Sequence, residues 1–127
     1  MLQRCKGLLA FLILIFLPGG STTAASGNAE TGRKLAVQHC GRCHVIPDYN
    51  PMGGIGSTPS FRLLLGMEDG MVRFETFYAR RPHPSFIRLA GIEPPTELPT
   101  AAEAVELSRD DFDDLMSYLE GLKKTVP

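Results

Sequence analysis

Two thiols and an imidazole fall within five consecutive residues, Cys40-Gly41-Arg42-Cys43-His44. Cysteines three apart share one side of a helical turn, so their sulfurs point to one place with His44 beside them. Several chemistries use such a group. A thioredoxin-type redox pair needs a βαβ frame, and no such pattern is present in the sequence. A structural zinc site usually takes four ligands in two pairs. His39 and His83 would have to complete it, and neither belongs to a pairing motif. A disulfide is possible in a secreted chain, but between Cys40 and Cys43 it would close a tiny loop, stabilise little and leave His44 without a role.

Covalent attachment of a haem accounts for all three side chains. Thiols on one turn reach the two vinyl groups along one edge of the ring and form thioethers, while the next residue lies under the ring and gives its Nε2 to the iron. C-x-x-C-H is the attachment signature of c-type haem, so the expected cofactor is one haem c. Cys40 and Cys43 are the expected attachment points and His44 the expected proximal iron ligand. Gly41 and Arg42 need only stay clear.

The N-terminal stretch reads as a signal peptide over residues 1–25. Arg4 and Lys6 precede the apolar run Leu8 to Leu17, then Pro18-Gly19-Gly20 breaks it and Ser21 to Ala25 are small. Thr23 and Ala25 fit the small-x-small cleavage rule, which predicts a mature chain starting near Ser26. An apolar run of ten residues spans only about 15 Å as a helix, half of a bilayer core of about 30 Å. No stable membrane span is therefore expected after cleavage, and the expected location is periplasmic or secreted. Cys5 leaves with the signal, and no cysteine at the cleavage site offers a lipid anchor.

Residues 26–127 then form one domain. Of the 13 basic and 14 acidic residues in the whole chain, the signal removes Arg4 and Lys6; 11 basic against 14 acidic leaves a formal charge of −3. That mild acidity argues against nucleic-acid binding, which needs a basic face. A core of about 100 residues is small, and a cofactor often supplies part of the buried apolar surface of such a domain.

The spacing of apolar residues predicts helices separated by Gly- and Pro-rich loops, and an all-α class. The first helix runs from about Ala29 to His39 with Asn28 as N-cap. Gly32 in mid-helix costs about 1 kcal/mol relative to Ala, which a close helix crossing would explain. Val45 to Pro59 is a loop. Ser60 to Leu65 and Gly70 to Arg80 are two further helices. Gly91 to Leu107 is extended, held by Pro94, Pro95 and Pro99. The last helix is the clearest: Ser108 caps it, aspartates crowd its first turn, and Phe112, Leu115, Met116, Leu119 and Leu122 form its buried stripe.

On these residues the chain resembles the class I small cytochromes c. "GNAETGRKLAVQHCGRCH" is similar to that family's first helix running into its haem motif, "GIGSTPSF" to the loop after it, and "DFDDLMSYLEGLKK" to its last helix. The resemblance implies three to five helices around one covalently bound haem. It also implies that the two terminal helices cross with Gly32 near Tyr118. Finally, it implies that the carbonyl of Pro59 accepts the Nδ1–H of His44, fixing the ring and tuning its basicity.

One segment departs from the family. The second axial ligand is commonly a methionine in a stretch resembling Pro-His-Pro-x-Met. Here that stretch is Pro82-His83-Pro84-Ser85-Phe86, and a phenylalanine cannot bind iron. Three assignments stay open: His83 as sixth ligand; Met52, Met67 or Met71, whose ordinary role would be to fill core gaps; or an open position covered by Phe86. Arg73, Arg80, Arg81 and Arg88 cluster around this segment, where they could neutralise propionates or dock an acidic partner.

The implied activity is single-electron transfer between a donor and an acceptor protein, and not catalysis, since no proton donor, nucleophile or substrate pocket stands out. Two rival readings are a haem-based sensor or small-molecule binder, if the sixth position is open, and an accessory subunit of a dehydrogenase or oxidase complex.

Overall fold

In the computed structural model, which describes residues 27–95 and 103–127, the chain is mainly helical with one small sheet. The signal peptide read over residues 1–25, its cleavage site, and Glu97 and Pro99 of the extended connection lie outside the described residues. Among the described residues no helix is long and apolar enough to cross a membrane.

Helix α1 spans Ala29–Leu35. Asn28 starts it as an N-cap, its side-chain oxygen accepting from the backbone N–H of Glu30 at 3.0 Å and Thr31 at 3.1 Å. The helix then widens. Ala36–Cys40 is a π turn, closed by the N–H of Gly41 donating to the carbonyl of Ala36 at 3.1 Å. Such bulges recur at functional sites, and this one ends on Cys40.

Helix α2, Phe61–Gly66, is capped by Ser60, whose hydroxyl accepts from the N–H of Leu63. Helix α3, Gly70–Glu75, is shorter than the Gly70 to Arg80 segment the spacing predicts. The chain leaves the α register at Thr76 and continues as a 3₁₀ turn over Phe77–Ala79. Thr76 donates its hydroxyl back to the carbonyl of Val72 at 2.6 Å, a local bond that competes with helix propagation. A second 3₁₀ turn, His83–Ser85, follows.

The all-α expectation needs correction at one place. Strands β1, Ile87–Leu89, and β2, Val105–Leu107, pair in parallel with Ile87 opposite Val105 and Leu89 opposite Leu107. Ile87, Leu89 and Leu107 are buried. Three residues are too few to show a two-residue period, and a pairing across a long connection leaves no local signature.

Helix α4, Arg109–Lys123, starts at a capping box: Ser108 accepts from the N–H of Asp111, and the Asp111 carboxylate accepts from the N–H of Ser108. Leu115, Leu119 and Leu122 are its buried face, with Phe112, Met116 and Tyr118 partly buried against the same core. Helices α1 and α4 make the main helix–helix contact. A side chain at Gly32 would run into the carbonyl of Asp114 and lie 2.9 Å from the Cα of Leu115. The close crossing is therefore real: the atoms nearest Gly32 are the α4 backbone at Asp114 and Leu115, with Tyr118 one turn further along α4. The N–H of Asn28 also donates to the Asp114 carboxylate.

Candidate functional site

Cys40, Cys43 and His44 sit on one turn because the carbonyl of Cys40 accepts from the N–H of both Cys43, at 3.0 Å, and His44, at 2.9 Å. The two sulfurs are not joined. Cys43 is exposed, whereas Cys40 is half-buried and packs on the core. Burial, with a smaller contribution from neighbouring Cys43, pushes the Cys40 thiol up to about 12.

The His44 ring is anchored from behind. Its Nδ1 lies 2.7 Å from the carbonyl oxygen of Pro59. A carbonyl only accepts, so Nδ1 carries the proton and the Nε2 lone pair is left for another partner. Phe61 packs edge-on against the ring, centroids 5.5 Å apart, and Phe74 packs edge-on against Phe61 at 4.9 Å.

The loop that returns from His44 to Pro59 hangs on Asn50, to which the sequence alone assigns no role. The Asn50 side-chain oxygen accepts from the N–H of Ile46 at 2.6 Å. Its amide nitrogen donates to the carbonyls of Gly41 at 2.8 Å and His44 at 3.1 Å. Ile46 itself is fully buried. The N–H of Ile55 donates to the Cys43 carbonyl at 2.9 Å, and that of Phe61 to the Val45 carbonyl at 3.1 Å. One side chain thus ties two carbonyls of the motif to the N–H of Ile46 in the returning loop, and three partners at about 1 kcal/mol net each set the expected effect of losing them. Asn50→Ala is expected to cost about 2–3 kcal/mol, read from the shift of the urea unfolding midpoint at unchanged slope.

His83 comes to the same place from the far side of the chain. Its ring is parallel to that of His44 within 7°, with centroids 6.0 Å apart. Its Nδ1 lies 3.1 Å from the carbonyl oxygen of Arg80, so it too carries its proton on Nδ1. Phe77 packs edge-on against it at 5.5 Å. Burial holds the basicity of His83 below the usual histidine range, against the opposing pull of the Arg80 and, more weakly, Phe77 carbonyls, with His44 lowering it further.

The other sequence candidates differ in burial. Met52 is 96% exposed. Met67 and Met71 are partly buried against the core. Phe86 is 47% exposed. Among the arginines, Arg73 pairs with Asp69 at 2.8 Å, Arg80 donates to the hydroxyl of Thr76 at 2.8 Å, and Arg88 donates to the carbonyl of Pro84. Three of the four are thus engaged within their own segment. Among the described residues no group of three or more His, Cys, Asp or Glu side chains converges on a point that would hold a bare metal ion. The zinc arrangement of Cys40, Cys43, His39 and His83 is accordingly not assembled.

The donor set fits a haem: two free thiols on one turn, and beside them an imidazole whose rear nitrogen is already committed to a backbone carbonyl. No family model, curated protein or solved structure matches the chain.

Proposed function

We propose that this chain is a mono-haem c-type cytochrome of the class I fold that passes single electrons between redox partners. The observation that carries this reading is the Cys40–His44 turn with the His44 ring pinned at 2.7 Å to the carbonyl of Pro59. The haem, once bound, supplies the iron that gains and gives up one electron.

The chain's own residues do the rest. Cys40 and Cys43 would hold the haem through two thioethers. His44 would offer Nε2 to the iron, and the Pro59 carbonyl holds the imidazole in one tautomer. Phe61, Phe74 and Phe77 with Ile46 and Leu65 form an apolar wall. Such a shell keeps water from the site and favours the less charged, reduced state, raising the potential. The N-terminal layout supports export to an oxidising compartment, such as a periplasm, with protein donors and acceptors as partners. The reading is of a carrier and not of an enzyme.

Expression with its signal in a host with working cytochrome maturation is expected to give a red, processed protein. Its mass exceeds that of residues 26–127 by one haem, and dithionite and ferricyanide cycle its spectrum reversibly. A colourless, folded product without the added mass would overturn the reading.

A further inference from the structure

Resting on the haem reading above, we infer that His83 is the second protein ligand of the iron, so that imidazoles from His44 and His83 occupy both axial positions. Two imidazoles bonded through Nε2 at about 2 Å to opposite sides of one metal ion have ring centres about 6 Å apart. The rings of His44 and His83 are 6.0 Å apart and parallel within 7°. The long connection between residues 44 and 83 gives no local reason for two histidines to meet at this spacing.

Both rings are also held in the way a metal-ligating histidine is held. Each has its Nδ1 against a backbone carbonyl, Pro59 for His44 and Arg80 for His83, which directs the free lone pair of each to Nε2. The carbonyl of Arg80 accepts twice, from the backbone N–H of His83 at 2.9 Å as well as from its ring. The His83 carbonyl in turn accepts from the N–H of Phe86 at 2.8 Å. Pro82 and Pro84 on either side have restricted backbones, and Phe77 braces the ring edge-on at 5.5 Å. A ligand preorganised in backbone and in ring loses little freedom on binding.

The rival ligands lack these features. Met52 lies almost wholly in solvent and Phe86 is half-exposed without a donor atom. Met67 and Met71 pack with the core around α2 and α3, where a methionine has an ordinary task. With two nitrogen ligands the site takes a lower potential than histidine–methionine ligation would give and is closed to small gaseous ligands. That favours the carrier over the sensor among the rival readings.

The test uses the matured ferric and ferrous protein. Near-infrared magnetic circular dichroism and electron paramagnetic resonance of the ferric wild type are expected to report a low-spin iron with two nitrogen axial ligands. His83→Ala is expected to keep its haem through denaturation, since both thioethers remain. It is also expected to lose the low-spin signal completely, to bind carbon monoxide when reduced, and to recover the low-spin signal with added imidazole. Met52→Leu, Met67→Leu and Met71→Leu are expected to leave all spectra unchanged. A thioether or high-spin signature in the wild type overturns the inference even if the alanine variant does not fold, as does an unchanged spectrum in His83→Ala. In those cases the cytochrome reading stands. A wild-type chain with no covalent haem removes that reading as well.

Discussion

With Cys40 and Cys43 both replaced by alanine, no haem is expected to stay on the polypeptide after acidic organic extraction, whereas either single variant keeps it through the remaining thioether. The difference between tethered and free haem sets the size of the effect. A short tether holds its group at an effective concentration in the millimolar range. Free haem at micromolar concentration is about a thousandfold more dilute, which corresponds to about 4 kcal/mol of binding free energy. Cofactor binding to the native state alone counts directly toward folding stability, and about 4 kcal/mol is a large share of the total for a domain of this size. The double variant is therefore expected to unfold at markedly lower urea concentration, and its midpoint should depend on added haem while that of the wild type does not. Extraction followed by mass spectrometry reads the attachment, and the haem-dependence of the midpoint reads the energy. A double variant that holds its haem through extraction would show that the thiols are not the attachment points.

The two ends of the domain were easy to read because their signals are local. Asn28 and Ser108 each cap the helix that begins at the next residue, accepting from backbone N–H groups two or three residues on, and the apolar stripe of α4 is spaced along one face of one helix. Gly32 was legible as a helix crossing because a glycine in mid-helix carries a penalty that needs a reason, though the α4 residues that meet it were not. The rest depends on partners distant in sequence. Strands β1 and β2 are three residues each and find each other across a long connection. The π turn at Ala36–Cys40 reflects the descent of the chain from α1 into the motif, and Ala36 and Val37 say nothing of it in advance. Asn50 is legible only as part of the Val45 to Pro59 loop, since its three backbone partners become neighbours only when the loop closes. The same holds for His83. The sequence shows a histidine between prolines, but its spacing to His44 is a tertiary fact.

Opposite signs are expected from the same substitution on the two helices that cross. Gly32→Ala in α1 places a methyl group against the carbonyl of Asp114 and 2.9 Å from the Cα of Leu115. Both are backbone atoms of α4, which cannot turn aside as a side-chain tip can. The helices must move apart, and overpacking of this kind costs about 1–3 kcal/mol, more than the gain of about 1 kcal/mol from replacing a mid-helix glycine. Gly121→Ala in α4 meets nothing within 4 Å, so only the propensity gain remains, and a stabilisation of about 0.4–1 kcal/mol is expected. The damage at Gly32 should also reach the site. Helix α1 runs directly into the π turn that presents Cys40, so opening the crossing loosens the first thiol's position and lowers the fraction of chains that carry haem. Thermal unfolding of both variants checks the signs, and the ratio of haem absorbance to protein checks the coupling. If Gly32→Ala were as stable as the wild type, the close approach of α1 and α4 would not be what holds the two ends of the domain together.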